Sequence, residues 1–344
     1  AAWRSGQIDL AGQFFRTLAD LPEASPGQRS AAAYWAHRVE LRQERPVESV
    51  RYLELSAREI DSFYGVVARH ALGQKIAISF DLPEIHDAFF SWLALRSGGK
   101  RIFALLQLGE THAAERELRY LWMEMPDKYR LGVMRFASEH GMAGLSFRVA
   151  EIIRKDSGVS WYGALYPHPQ FKAEYIIDEA LVWSISRQES GFNPRAKSRA
   201  KAAGLMQLMP STASFIARDR GYRGRKRHQL FEPALNLKLG QTYIQHLLDE
   251  QHIESSLIRL LAAYNGGPGN LRKWLGKVNH QDDPFLLVES IPARETRYYV
   301  KNVVSNLGIY RQRFGQTAPA LSGLASGNGG RFVPSKAIDK TPIN

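Results

Sequence analysis

Residues 180–213 read ALVWSISRQESGFNPRAKSRAKAAGLMQLMPSTA. Within this stretch Leu181, Ile185 and Glu189 recur every four residues, and Ile177 continues the same row upstream, so the pattern predicts one face of a helix. A carboxylate on an apolar face is costly to ionise, because desolvation disfavours the charged form and raises the pKa. A glutamate that holds its proton near neutral pH is suited to general acid catalysis. An ordinary surface charge at a helix end is the simpler interpretation of Glu189, and the surrounding motifs argue against it.

The stretch resembles the catalytic motif of the soluble lytic transglycosylases, lysozyme-like enzymes that cut the glycan strands of peptidoglycan. Three further segments match this family in its usual order, namely YPHP at 166–169, AYNGGPGNLRKWL at 263–275 and IPARETRYYVKNVV at 291–304. Together the four motifs cover about half of the chain, residues 160–314. One departure is visible, because Lys201 occupies a position where the family usually has glycine, and this puts the local loop conformation in question.

The composition is that of a globular protein with a sizeable core. The chain has 344 residues, 44% of them hydrophobic and 23% charged, which is enough for two or three domains. No apolar run approaches the roughly 20 residues of a membrane span. The absence of cysteine excludes thiol catalysis, disulfides and thiolate metal sites. The net charge of +12 favours anionic partners, which include nucleic acid, a carboxylate-bearing cell wall and anionic membranes.

The sequence predicts an all-α protein. Residues 1–155 show short amphipathic segments separated by turn residues, and helix pairs spaced roughly 30–40 residues apart resemble an α-solenoid of the tetratricopeptide class. Small residues in these segments, such as Ala32 and Ala36, favour close helix packing. Further helices are predicted at roughly 173–189, 210–219, 233–250, 254–264, 268–276 and 295–313.

The family resemblance implies a helical solenoid or superhelix segment followed by a lysozyme-like α-helical catalytic domain. We therefore predict a truncated superhelical segment at 1–80, a helical linker domain at 81–160 and the transglycosylase domain at 161–315. Residues 316–344 are rich in Gly, Ser and Pro, so we expect a flexible C-terminal tail. The chain opens at AAWRSGQIDL without Met, and we expect a processed or trimmed product of a secreted, periplasmic protein whose signal peptide is absent here.

The distribution of carboxylates favours a single catalytic acid. Most glycosidases use a second carboxylate about 5–9.5 Å from the first, but residues 190–213 contain neither Asp nor Glu. The resemblance implies that the N-acetyl group of the substrate stabilises the oxocarbenium ion and that its C6 hydroxyl then attacks, which leaves a 1,6-anhydro-muramyl end. Glu189 would act first as acid and then as base, with the high effective molarity of an internal nucleophile.

Several residues of the same stretch are candidates for substrate binding. The amide of Gln207 can donate to and accept from a hydroxyl or acetamido group, and Ser198 offers a smaller version of that chemistry. Met206 and Met209 provide adaptable apolar surface, which suits a sugar face and core packing equally well.

Two later motifs supply three more candidates. Tyr264 and Asn265 resemble cleft-lining residues of the family, although a helix end running into a Gly-Gly turn also explains them. Glu295 is a further substrate-binding candidate, and its alternative role is that of an acidic partner for the helix dipole. Of Tyr298 and Tyr299, one is expected to pack in the core.

These residues lead to a functional expectation with alternatives. We expect a monomeric lytic transglycosylase that acts on peptidoglycan glycan strands, uses no cofactor or metal and does not bind nucleic acid. The basic cluster at 218–228 is expected to be a solvated surface. A hydrolytic muramidase on the same fold and a non-catalytic helical cell-wall scaffold, which would bind protein partners through its helical region, remain open as alternatives.

Overall fold

The structure is a computed structural model that describes residues 1–171, 173–327 and 329–332. These residues form eighteen α-helices, three short 3-10 helices (Arg220–Arg223, Arg227–Phe231 and Gln251–Ile253) and isolated β-bridges, which confirms the all-α prediction. The helices are α1 (Ile8–Asp20), α2 (Pro26–Arg42), α3 (Pro46–Ala57), α4 (Phe63–Ala71), α5 (Asp87–Ala94), α6 (Ser97–Gln107), α7 (Thr111–Glu124), α8 (Asp127–Glu139), α9 (Ala143–Ser157), α10 (Tyr162–Leu165), α11 (Glu179–Ser190), α12 (Pro210–Ile216), α13 (Pro233–Leu248), α14 (Leu257–Gly266), α15 (Pro268–Lys277), α16 (Pro284–Ser290), α17 (Arg294–Arg313) and α18 (Pro319–Ala325).

The chain divides into two compact units. The first unit contains Ala1–Ile76, Ile176–Ser184 and the chain from Thr242 onward, and the second contains Ala77–Tyr175 and Ile185–Gln241. The domain boundaries predicted from the sequence stay predictions. Among the described residues, no helix combines the length and the apolar character that crossing a membrane requires.

The N-terminal helices of the first unit pack through small residues. Helix α2 begins at a capping box, in which the Ser25 hydroxyl accepts from the Gln28 N–H and the Gln28 side chain accepts from the Ser25 N–H. Because alanine lets helix backbones approach closely, α1, α2 and α3 share one apolar core. Its buried members are Ala19, Ala32, Ala33, Ala36 and Tyr52. This agrees with the close packing expected of the alanines.

The C-terminal part of the first unit corrects the prediction of a flexible tail from residue 316. Helix α18 forms there, and Ala320, Leu321 and Leu324 are buried. The composition-based argument failed because these three apolar residues share one helical face, and that face packs against α4. Residues 328 and 333–344 of the predicted tail lie outside the described residues.

A buried ion pair fixes the start of α11 in the first unit. Arg311 of α17 donates to Asp178 at 2.5 Å, and both side chains are buried. Asp178 also accepts from the Ala180 N–H at 3.1 Å, so it caps α11. Burial raises the pKa of Asp178, and the neighbouring Arg311 opposes that change. The cap explains why the helix starts at Glu179, which makes the predicted start at 173 wrong.

The second unit contains helices α5 to α10, the remainder of α11, α12 and the first part of α13. Helices α6 and α7 pack as one pair and α8 and α9 as another. The apolar residues between them include Phe89, Ile102, Leu118 and Phe136, all buried. Helix α9 ends at Gly158, whose φ of +76° closes the helix in the left-handed conformation.

Candidate active site

Glu189 lies in the last turn of α11 and is half-buried. Preceding residues on the predicted face, Leu181 and Ile185, are fully buried. The helix ends because Gly191 and Phe192 both adopt positive φ, +54° and +62°. The sequence therefore places a carboxylate where an apolar helix meets a tight turn, as the pattern of residues predicted.

Arg187 ties this helix end to the YPHP motif. Its Nε donates to the Leu165 carbonyl at 2.8 Å, and its guanidinium lies over the ring of Tyr166 at 4.3 Å. The same group lies 4.9 Å from the Phe147 ring and 3.5 Å from a carboxylate oxygen of Glu151. Because a planar guanidinium can stack and donate at once, this one side chain contacts two neighbouring segments, α9 and the chain at residues 165–166. The last turn of α11 is thus immobilised two residues before Glu189.

A short hydrogen-bonded loop, which we call the 196–209 loop, follows the turn. The Ser198 N–H donates to the Ala202 carbonyl at 3.0 Å, and the Ser198 hydroxyl accepts from the Ala202 N–H at 3.0 Å. Lys201 closes this turn at a φ of +73°, with its N–H donating to the Ser198 carbonyl. The position that departs from the family therefore has the left-handed conformation that glycine adopts most easily. Ser198 itself is half-buried and has a structural hydrogen bond within the loop.

Asn236 of α13 holds the far side of the 196–209 loop. Its Oδ1 accepts from the Met206 N–H at 2.8 Å, and its Nδ2 donates to the carbonyls of Ala203 at 2.9 Å and Leu230 at 2.8 Å. The side chain is fully buried. Gly204, at φ +82°, makes room for it, because a Cβ there would lie 2.3 Å from the Asn236 amide nitrogen. No local pattern in the sequence pointed to Asn236.

Gln207 and the two methionines have distinct positions. The Nε2 of Gln207 donates to the carbonyls of Ala196 at 3.0 Å and Gly204 at 2.9 Å. Since an amide nitrogen has only two hydrogens, what remains for a ligand is the acceptor Oε1. Met206 is fully buried, so it belongs to the core, whereas Met209 is 37% exposed at the start of α12.

The remaining predicted residues lie in the first unit, where the motif at 263–275 contacts the motif at 291–304. The Thr296 hydroxyl donates to the side-chain oxygen of Asn265 at 2.7 Å. Tyr264 stacks on Tyr299 with ring centroids 6.4 Å apart. Helix α14 therefore contacts α17 through Tyr264 and Asn265, which the sequence singled out, and through Thr296, which it did not. Glu295 is exposed on the first turn of α17.

Two further predictions concern the tyrosine pair and the basic cluster. Tyr299 is buried and Tyr298 is 53% exposed, in agreement with the expectation that one of them packs in the core. Within the basic cluster at 218–228, Asp219 accepts from Lys226 at 2.7 Å. Lys226 first, and then the Gly221 N–H, lower the pKa of Asp219. In the part of the chain that the structure describes, no three His, Asp or Glu side chains are grouped as metal ligands would be.

Comparison with known proteins places these motifs in a family. Residues 170–285 match the family described as Transglycosylase SLT domain. The soluble lytic murein transglycosylase of Salmonella typhimurium is 42% identical over 149 residues, which are 42% of this chain and 22% of that protein. The corresponding protein of Escherichia coli K12 is 29% identical over 319 residues, 89% of this chain and 47% of that protein.

A solved structure shows the same fold. The X-ray structure of an inactive mutant of the lytic transglycosylase Slt from Pseudomonas aeruginosa superposes with a TM-score of 0.71 and 27% identity. The match covers 91% of this chain and 50% of that one, so the chain spans about half the length of such relatives. The domain match, the relatives and the shared fold agree with the motifs around Glu189: residues 170–285 form a transglycosylase SLT domain, and the chain as a whole is similar to the Slt-type soluble lytic transglycosylases.

Proposed function

We propose that this chain cleaves the β-1,4 bond between N-acetylmuramic acid and N-acetylglucosamine in peptidoglycan, with Glu189 as the single acid and base. The observation that carries the proposal is the position of Glu189, half-buried at the end of α11 and inside the matched domain. The segment that follows it, residues 190–213, contains no second carboxylate. A mechanism that needs only one carboxylate fits this arrangement better than one that needs two.

The reaction proceeds in two steps that balance without water. Glu189 first donates its proton to the glycosidic oxygen, the bond to C1 of the muramic acid breaks, and the acetamido oxygen of the substrate stabilises the positive charge. The Glu189 carboxylate then removes the proton of the C6 hydroxyl, whose oxygen bonds to C1. The product end is 1,6-anhydro-N-acetylmuramic acid, and the glutamate is protonated again. An internal hydroxyl is an effective nucleophile because its translational entropy is already lost.

The other predicted residues take supporting roles in this proposal. The Oε1 of Gln207 can accept from a sugar hydroxyl or an acetamido N–H, since the donors of this amide hold the 196–209 loop. Ser198 and the exposed part of Met209 offer a polar and an apolar contact to the same glycan. Tyr264, Asn265 and Glu295 are the candidates in the first unit.

The setting follows from the substrate. We propose that the protein acts on peptidoglycan in the periplasm, because the curated relatives are named as murein transglycosylases. We propose further that it works as a monomer. The helical region of the first unit is the candidate surface for protein partners from the cell wall.

The experiment is a digestion of purified peptidoglycan with the full chain, with Glu189→Gln and with Glu124→Gln, which removes an exposed carboxyl at the end of α7. Mass spectrometry of the released muropeptides separates anhydro ends from hydrolysed ends, which are heavier by one water. We expect anhydro ends from the unchanged chain and from Glu124→Gln, and a rate at least about 100-fold lower from Glu189→Gln. Hydrolysed ends would support the muramidase alternative, and the absence of products would support the scaffold alternative.

A further inference from the structure

Basic side chains that the proposed reaction does not use are concentrated in one part of the second unit. Residues 196–231 contain nine Lys and Arg residues and a single acidic residue, Asp219. The basic cluster at 218–228 supplies six of the nine, and the 196–209 loop supplies Lys197, Arg199 and Lys201. The sequence alone predicts a solvated surface for this cluster, and the structure adds how its residues are arranged and what lies beside them.

Hydrogen bonds join the cluster to the loop. The Lys226 N–H donates to the Gly221 carbonyl at 2.9 Å, so the cluster folds back on itself. The guanidinium of Arg227 donates to the Lys201 carbonyl at 3.5 Å, which brings the end of the cluster against the 196–209 loop. The nine cations therefore form one contiguous area, which we call the basic surface.

The charge of the basic surface is not neutralised from within the chain. Asp219 is already occupied, since it accepts from Lys226 at 2.7 Å and from the Gly221 N–H at 2.8 Å. Among the residues that the structure describes, no other carboxylate forms an ion pair with a member of the basic surface. Seven of the nine side chains are exposed. The surface therefore has a positive potential that an external anionic partner would neutralise.

An exposed aromatic ring borders the basic surface. Phe215, in the last turn of α12, is 59% exposed, and its carbonyl accepts from the Arg218 N–H at 3.2 Å. A large apolar ring beside several cations is typical of proteins that bind at a membrane surface, because the cations attract anionic headgroups and the ring enters the boundary with the acyl chains. The ring gains from this transfer, since its apolar area leaves water.

The local structure of the cluster argues against nucleic acid as the partner. Single-strand binding commonly stacks bases on several aromatic rings, but Tyr222, the other Phe, Tyr or Trp residue between 215 and 230, is buried. Duplex recognition commonly places a helix or a pair of strands in a groove, whereas the cluster forms only the short 3-10 helices Arg220–Arg223 and Arg227–Phe231. A bilayer requires neither feature, because exposed cations and one apolar side chain are sufficient for peripheral binding.

We propose that the basic surface binds a bilayer that contains anionic phospholipid, with Arg218, Arg220, Arg223 and Arg225 at the phosphate groups and Phe215 at the acyl boundary. The binding is peripheral and reversible, because salt screens the attraction between exposed charges. This inference goes beyond the cleavage reaction and does not depend on it. Its consequence is location, since the protein would be concentrated in the layer of the cell wall that faces a membrane.

Co-sedimentation with lipid vesicles tests the proposal. The full chain is mixed at about 0.1 M salt with vesicles of phosphatidylcholine alone and with vesicles in which about 30% of the lipid is phosphatidylglycerol. One variant is Phe215→Ala. A second variant combines four substitutions at exposed arginines of the cluster, namely Arg218→Gln, Arg220→Gln, Arg223→Gln and Arg225→Gln. A matched control removes four exposed lysines elsewhere in the chain, through Lys75→Gln, Lys100→Gln, Lys128→Gln and Lys155→Gln.

We expect the unchanged chain to bind the phosphatidylglycerol vesicles and not the neutral ones, and to be released at about 1 M salt. Each Lys or Arg near an anionic surface raises the partition coefficient roughly fivefold. The four-arginine variant should therefore lose at least about 100-fold, whereas the lysine control should stay within about threefold of the unchanged chain. Phe215→Ala should lose roughly tenfold, because the apolar ring no longer enters the bilayer.

Three results would overturn the inference. They are the absence of binding to the phosphatidylglycerol vesicles, an equal loss in the lysine control, and full binding by Phe215→Ala, which would indicate a surface for any polyanion, nucleic acid included. The four-arginine variant should still digest purified peptidoglycan at the rate of the unchanged chain, which shows that it is folded and that the basic surface is separate from the cleavage site. Failure of the unchanged chain to digest peptidoglycan would refute the proposed function and leave this inference intact.

Discussion

The strongest structural prediction concerns Asn236, whose side chain braces the 196–209 loop. In Asn236→Ala three hydrogen bonds are lost. The Ala203 carbonyl still accepts from the Leu208 N–H at 3.0 Å, so the groups left without a partner are the Met206 N–H and the Leu230 carbonyl. A buried polar group that loses its partner costs about 1–3 kcal/mol. The expected loss in the free energy of unfolding is therefore about 3 kcal/mol.

Urea denaturation followed by circular dichroism measures this loss, and Asn270→Ala serves as the control. Asn270 also donates from its amide to a backbone carbonyl, that of Gly266 at 2.8 Å, but it is exposed, so water replaces the bond and the cost should stay near 0.5 kcal/mol. Amide hydrogen exchange adds a local readout, because protection of the Ala203 and Leu208 N–H groups should fall in Asn236→Ala. If Asn236→Ala were no more destabilising than the control, the loop would not depend on this brace and the reasoning would be refuted.

Three other substitutions and conditions have defined outcomes. Lys201→Gly should raise the free energy of unfolding by about 1 kcal/mol, since glycine adopts the φ of +73° without strain, and an unchanged urea midpoint would contradict this. Gln207→Glu keeps an acceptor but loses both donors to loop carbonyls, so it should cost about 2 kcal/mol in urea unfolding and lower the cleavage rate; full stability would mean that the amide does not hold the loop. Burial lowers the pKa of His37 and His70 below 6.5 in the folded chain, so the unfolded chain binds more protons and stability should fall as the pH drops below about 6.5. The double variant His37→Gln, His70→Gln should show a weaker fall between pH 7 and 5, and an unaltered pH dependence would contradict the assignment.

The sequence predicted the features that depend on local patterns. The apolar face that ends at Glu189 was visible because its residues recur with the helical period. Proline marked the starts of α12, α13 and α15, where its missing N–H has no helical partner to lose. Helix α16 was missed although Asp283 caps it by accepting from the Phe285 N–H at 2.9 Å. Asp283 directly before Pro284 and an apolar run is a local helix-start signal that the sequence contains.

Contacts between segments that are distant in the sequence could not be predicted from local patterns. Asn236 lies 30 residues after Met206, and the link is one hydrogen bond from a side chain to the backbone. No local pattern encodes such a contact, although a polar residue on the buried side of a helix is a hint that a partner exists. Thr296 was missed for the same reason, because its role depends on Asn265 in another helix. Local motifs therefore point to the candidates for substrate binding, whereas they do not point to residues such as Asn236 and Thr296 that support those candidates through contacts between distant segments.

The backbone of the 196–209 loop explains why the departure at Lys201 does not disrupt it. Lys201, Gly204 and Gln207 all have positive φ, at +73°, +82° and +46°, and only one of them is glycine. The left-handed conformation costs a non-glycine residue roughly 1–2 kcal/mol, so the loop is held against the preference of two of its residues. The bonds of Asn236 and Gln207 overcome that strain, since they fix the carbonyls on both sides of Gly204. The shape of the loop next to Glu189 is thus determined by tertiary hydrogen bonds more than by glycine content. A lysine at position 201 is consequently tolerated, whereas the loss of the buried amide at position 236 should not be.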